Sequence, residues 1–305
     1  MNTSARQHSY LEATARERLE HLLDPGSLDE WLPPQARVVS PHLAQLDAPV
    51  AFDDGVVVGR ATIGARAVFV AAQEGGFMGG AVGEVHGAKL VGMLQRAVLE
   101  RPHAVLLLLE TGGVRLHEAN AGLIAVSEVM RAVLAVRAAN IPVIVLIGGA
   151  NGCFGGMGIV ARCANMILMS EEGRLAMSGP EVIETANGVE EFDSRDRALV
   201  WRTSGGKHRY LLGDCHHIVA ESIEAFRAAA EHAIDACAAQ PAMLTLAGLE
   251  ADEVLLRQRL SRFGAMHDPL AIWAALGVAD PGGLPMLEAD AFLAAAAGHR
   301  AGVMA

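Results

Sequence analysis

Two glycine pairs hold the positions of this chain whose type and spacing could do chemistry. Gly112-Gly113 lies in ETGGVR and Gly155-Gly156 in NGCFGGMG, each after a run of apolar residues and before a helical pattern. Without a Cβ the backbone can come close to a ligand, and amides at a helix N-terminus point at whatever negative oxygen sits there. Such amides form an oxyanion hole, suited to a thioester carbonyl as it becomes an enolate. One pair at a strand-to-helix turn more often serves tight geometry; two pairs on successive turns favour chemistry.

Ionisable residues cluster around the first turn: Glu110, Arg115, His117 and Glu118, types that polarise, position or protonate a substrate. The plainer expectation is that Glu118 sits in the first turn of its helix, favoured by the dipole, with Arg115 paired to a nearby carboxylate. Lys207-His208-Arg209 follows Ser204-Gly205-Gly206 and is a dense positive spot, fit for a phosphate or carboxylate, or else a solvated loop. His86, His216 and His217 lack a third convergent ligand at metal spacing, so no metal is expected. No GxSxG elbow, Walker A loop or dinucleotide fingerprint occurs, which removes the common hydrolase, NTPase and dehydrogenase readings.

Composition narrows the class further. The formal charge is −11 with only two lysines, Lys89 and Lys207, which argues against nucleic-acid binding. Any anionic ligand needs locally clustered basic groups. Cys153, Cys163, Cys215 and Cys237 form no CxxC pair and read as buried small hydrophobes. The longest apolar runs, Ala104 to Leu109 and Ile141 to Ile147, fall far short of the ~20 residues that span a bilayer. The charged N-terminus has no signal-peptide core, and cytoplasmic residence is expected.

The elements that must position these residues alternate. Ser9 to Leu23 reads as an amphipathic helix with a Ser9/Glu12 capping box, ended by Asp24-Pro25-Gly26. VVVGRATI and AVFVAA form a hairpin about Gly64-Ala65. A Gly-rich stretch, Glu74 to Gly83, leads to a helix over Glu84 to Glu100 and a strand over Ala104 to Leu109. A helix from about Glu118 to Ala139, a strand from Pro142 to Ile147, a short helix and a strand over Met166 to Met169 follow. This is an α/β layout with parallel strands. Ser222 to Ala239, Glu253 to Phe263 and Ala294 to Ala297 read as later helices. The expected division is a helical arm over 1–34, a main domain over 35–245 and a helical extension over 246–305.

Several segments, in order, resemble the carboxyltransferase family of acetyl-CoA and propionyl-CoA carboxylases. They are ARERLEHLLDPGSLDEW (15–31), GFMGGAVGEVHGAKLVGML (76–94), ETGGVRLHEA (110–119), NGCFGGMGIVARCANMILM (151–169) and SGPEVIETANG (178–188). The resemblance covers Ala15 to Ala220 and implies the crotonase-type ββα superhelix, with an active site shared between two homologous halves. It places the family's oxyanion pair on Gly155-Gly156. The chain length is similar to that of malonate decarboxylase β subunits, whereas the four-cysteine ribbon usual in bacterial acetyl-CoA carboxylase β subunits has no counterpart before Cys153.

That resemblance implies biotin-independent decarboxylation of a malonyl thioester. The partners would be a homologous γ subunit, an acyl carrier protein with a CoA-like prosthetic arm, and an acyl-carrier transferase, with no tightly bound cofactor. Gly112, Gly113, Gly155 and Gly156 are the candidate oxyanion residues. Phe154 and Met157 would give the departing carboxylate a dry surface, and Arg115, Lys207 and Arg209 would bind its anionic parts. Three other readings stay open: a biotin-dependent carboxyltransferase, an enoyl-CoA hydratase or isomerase using Glu118, and a non-catalytic assembly subunit.

Overall fold

A computed structural model describes residues 8–241 and 244–301; residues 1–7 of the expected arm and 302–305 of the expected extension lie outside them. The described strands are β1 (Asp29–Trp31), β2 (Val56–Ile63), β3 (Arg66–Gln73), β4 (Ala104–Leu108), β5 (Val143–Ile147), β6 (Met166–Ser170) and β7 (His217–Val219). They form one sheet in chain order, β1-β2-β3 antiparallel and β3 to β7 parallel. The hairpin turns at Gly64-Ala65 with φ of 53° and 62°, the doubly left-handed turn whose twist matches its strands.

Helices α1 (Ala15–Leu22), α2 (Glu84–Glu100), α3 (Asn120–Ala138) and α4 (Gly155–Arg162) accompany the strands. After them come α5 (Pro180–Asn187), α6 (Arg197–Ser204), α7 (Gly206–Leu211), α8 (Ile223–Ala239), α9 (Leu246–Phe263), α10 (Pro269–Ala275) and α11 (Ala289–Ala296). Parallel strands buried on both faces need apolar residues at every position, and β4 and β5 have them throughout. The strands then sort by period two. Val105, Leu107, Val143 and Val145 face a core built with α2, α3, α4, α10 and α11, while Leu106, Leu108, Ile144 and Leu146 face α1 and α8.

The first helix begins later than its sequence pattern suggests. Thr14 and Glu17 make the capping box, and Ser9 instead closes a preceding turn by accepting the Glu12 N–H. Ser9 Oγ and the Leu11 N–H both donate to Glu221, and Tyr10 stacks on Phe226, so the segment before Thr14 is held against α8 in an irregular path. Further along, Arg227 donates to the Leu22 carbonyl and pairs with Asp24, which also accepts the Gly64 and Ala65 amides. Lys207-His208-Arg209, expected in a loop or exposed patch, lies within α7. No described helix is long and apolar enough to cross a membrane.

Candidate active site

The carboxyl ends of β4 and β5 bring the two glycine pairs together, as parallel sheets do with their ligand-binding turns. The Thr111 N–H donates to the Gly152 carbonyl (2.7 Å) and the Phe154 N–H to the Thr111 carbonyl (2.9 Å). These bonds lock one turn beside the other. Gly113 has φ +105°, and a Cβ there would stand 3.0 Å from the Phe154 oxygen. Gly155 has φ +60°, and a Cβ there would stand 3.3 Å from the Gly113 Cα. Both positions therefore require glycine for conformation and for the closeness of the two backbones.

The amides separate the four candidate glycines. Gly112 donates to the Gly79 carbonyl (2.8 Å), Gly113 to the Thr111 hydroxyl (2.9 Å) and Gly155 to the Met177 carbonyl (3.0 Å). These three N–H groups are occupied, which corrects the expectation that all four glycines offer donors. The Gly156 and Met157 amides, in the first turn of α4, have no acceptor among the described residues. They are the donors left at the positive end of the α4 dipole. A Cβ on Gly156 would meet Val126 Cγ1 of α3 at 2.7 Å, so this glycine also sets the α3–α4 approach.

The expected charged ligands are spent on structure. Arg115 is fully buried, 2.9 Å from Asp54 and 2.8 Å from Glu118. Glu118 also accepts the Glu84 N–H (2.7 Å), so it caps α2 rather than favouring the start of α3. Burial opposes its ionisation, but the Glu84 amide and Arg115 outweigh that and hold its carboxyl below the usual glutamate range. Neither residue is free for substrate, and Glu118 is not available as a hydratase acid or base. Glu110 is buried against Arg18 and accepts the Asn151 N–H (3.1 Å), bracing the loop before the second glycine pair.

The same correction applies to the other binding candidates. Lys207 donates to the Pro285 and Leu287 carbonyls and pairs with Glu171, anchoring the C-terminal segment. His208 is buried and accepts from Trp273 Nε1 (3.0 Å). Arg209 pairs with Asp214 and donates to the Thr203 carbonyl. Met157 packs wholly in the core, and Phe154 is buried with Arg174 over its ring, so neither presents a surface to a carboxylate. His117 is exposed beside the first turn.

Three structural partners escaped the sequence reading: Arg18, Asp54 and Met177. Arg18 had a signal, since it shares the buried stripe of α1 with Ala15, Leu19 and Leu22. A carboxylate was therefore needed opposite it. Met177 had none, because it acts through its carbonyl. The elements flanking the free α4 amides carry exposed apolar side chains: Leu116 before α3, Leu123 and Ile124 on α3, Ile159 on α4 and Met177, whose carbonyl holds Gly155, are between 43% and 79% exposed. Large apolar side chains so exposed on neighbouring elements are what an interaction face presents.

Arranged this way, an open helix N-terminus beside a second glycine turn on a ββα framework is the site geometry of a carboxyl-transfer fold. The carboxyl transferase domain model matches residues 6–232, and the chain belongs to that family. It is 42% identical over 312 residues to the malonyl-S-ACP:biotin-protein carboxyltransferase of Malonomonas rubra, covering 96% of this chain and 97% of that one. Its fold is similar to a chain of the Pseudomonas malonate decarboxylase hetero-tetramer solved with malonate. That match has 41% identity and TM-score 0.72, over 75% of this chain and 84% of the other. The Pseudomonas malonate decarboxylase hetero-dimer gives 36% identity and TM-score 0.61, over 75% and 88%.

Proposed function

We propose that this chain, with a homologous partner subunit, decarboxylates a malonyl thioester on an acyl carrier, the free α4 amides receiving the enolate oxygen. The carrying observation is that the Gly156 and Met157 N–H groups alone, of the amides considered at the two glycine turns, have no acceptor among the described residues. When the malonyl carboxylate turns out of the thioester plane, its C–C electron pair passes into the carbonyl and CO2 departs. Negative charge then builds on the thioester oxygen, where preorganised amides at a dipole's positive end stabilise it. The enolate carbon takes a proton, giving the acetyl thioester. Glu110, Arg115 and Glu118 are engaged elsewhere, which leaves the exposed His117, the partner subunit or water as the proton source.

The apolar face around Leu123, Ile124 and Ile159 supports a partner there, since it would also exclude water from the departing carboxylate. The carrier protein brings the thioester on its CoA-like arm, an acyl-carrier transferase loads it, and the reaction asks for no tightly bound cofactor in this chain. Residence in the cytoplasm fits this chemistry.

The Malonomonas rubra relative favours a second reading, in which the same step hands the carboxyl group to a biotin-bearing protein. The assay is CO2 release from a malonyl thioester by this chain with its genomic partner, with and without excess avidin. Avidin-insensitive release needing both chains supports the biotin-independent decarboxylase. Avidin-blocked release selects the biotin-linked reading, and no release refutes both.

A further inference from the structure

Beyond the glycine turns, the described residues enclose a cleft of about 360 Å³ between α4, the Leu175–Met177 segment and α9. Three arginines converge on it, Arg162 from α4, Arg209 from α7 and Arg259 from α9, around the single carboxylate of Asp214. Arg259 Nη1 donates to Asp214 at 2.7 Å, Arg209 Nη1 at 3.3 Å, and Arg162 Nη2 stands at 3.5 Å. Burial alone would raise the Asp214 carboxyl, but the three guanidiniums hold it below the usual aspartate range, so it is a full anion. Asp252, on the exposed rim, pairs with none of them.

Three fixed cations around the Asp214 carboxylate leave two positive charges in the inner cluster, one for the whole cleft once Asp252 at the rim is counted, and a guanidinium cannot shed its proton. Arg209 Nε and both Nε and Nη2 of Arg259 are buried without an acceptor among the described residues. Arg162 is 36% exposed and forms the charged mouth. Leu175, Ile159 and Leu255 supply apolar wall, and the volume exceeds what a bare oxyanion fills.

We propose that this cleft binds an organic phosphate, its dianionic head among Arg162, Arg209 and Arg259 and its organic part against the apolar wall. A phosphate carries roughly −1.5 to −2 charge near neutrality, which complements the inner arginine cluster, and its oxygens accept from guanidinium forks. Two sources supply that chemistry. One is the phosphate-bearing arm of an acyl thioester, which rests on the function proposed above; Met177, whose carbonyl holds Gly155, lines this cleft. The other is a separate soluble organic phosphate.

Calorimetric titration of the complex of full-length chain and partner tests it, using phosphopantetheine against pantetheine and adenosine 5′-monophosphate against adenosine. At least one phosphorylated probe binds tenfold or more tightly than its counterpart, and Arg162→Gln and Arg259→Gln each erase the difference. Circular dichroism checks folding, and Arg162, the more exposed of the two, is the safer variant. Equal binding within both pairs, or a phosphate preference that survives both substitutions, overturns the proposal. If Arg162→Gln also raises KM for malonyl-phosphopantetheine at unchanged kcat, the substrate arm is the source. An unchanged KM with lost adenosine monophosphate binding assigns the site to a separate ligand. Because binding is read without turnover, failure of the decarboxylase reading would leave this result standing.

Discussion

Removing the Gly156 N–H while keeping its surroundings isolates the oxyanion contribution. Proline is tolerated in the first turn of a helix, where its missing donor has no intrahelical partner. A side chain at 156 would, however, strike Val126 Cγ1 at 2.7 Å, so the comparison belongs in a Val126→Ala background. There, Gly156→Ala keeps the amide and Gly156→Pro deletes it, with the same first carbon in each. Losing one oxyanion donor costs about 2.7–4 kcal/mol in the transition state, a fall of about 10²–10³ in kcat. The Met157 amide stays in place, so residual turnover is expected above background. Single-turnover CO2 release, with sedimentation to confirm assembly, reads the result. Equal kcat in the two double variants would refute the assignment of this amide, and a lost complex in the proline variant alone would show a packing effect.

Other outcomes follow from the same geometry. Arg18→Met strands the buried Glu110 carboxylate and should cost about 3–5 kcal/mol by urea unfolding, with Glu110→Leu added recovering much of it; a single-variant loss under 1 kcal/mol contradicts the buried pair. Lys207→Met should lower the unfolding midpoint without changing KM for the thioester, and a raised KM at normal stability would restore Lys207 as a ligand. Ile124→Glu on the exposed face should weaken partner association tenfold or more while the chain alone keeps its melting temperature; unchanged association removes that face from the interface. Burial, aided by Arg115, Arg209 and Arg162 in turn, lowers His86 and His208 to about 3 and His216 to about 4. Folded values below the unfolded ~6.5 mean that this stability is complete above pH 6.5 and is lost as pH falls toward 3, at about 1.4 kcal/mol per pH unit per imidazole. The raised Asp54 carboxyl acts in the opposite sense. A urea midpoint that stays flat from pH 7 to 5 would contradict the burial of these rings as neutral groups.

The fold was legible where periodicity is strong. The helix over Glu84–Glu100 and the strands at Ala104, Val143 and Met166 stand within a residue or so of their expected places, because continuous apolar runs between glycine turns admit few alternatives. The site was legible as a place, not as an inventory. Glycine pairs announce close backbone approach, yet which amide stays open depends on the Gly79 and Met177 carbonyls, and carbonyls leave no trace in a sequence. Arg115 and Lys207 failed as substrate ligands for a related reason: a cation signals an anionic partner, and both partners proved to be internal, for Arg115 the nearby carboxylate that the plainer reading had expected. The first helix began late because Glu221, more than two hundred residues away, competes for the turn at Ser9.

The stitching of α1 to α8 also sets a schedule for biosynthesis. His8 meets Glu224 across 216 positions and Arg227 meets Leu22 across 205, so the amino-terminal helix, which can lie on the β2–β3 hairpin early, is not covered on its remaining side until α8 leaves the ribosome. At roughly 5–20 residues per second that delay is on the order of 10–40 s. Throughout it the part of the Leu19, Leu22 and Leu23 stripe that α8 covers is open to chaperones or to neighbouring chains, and a polypeptide cut short before Phe226 would keep it uncovered.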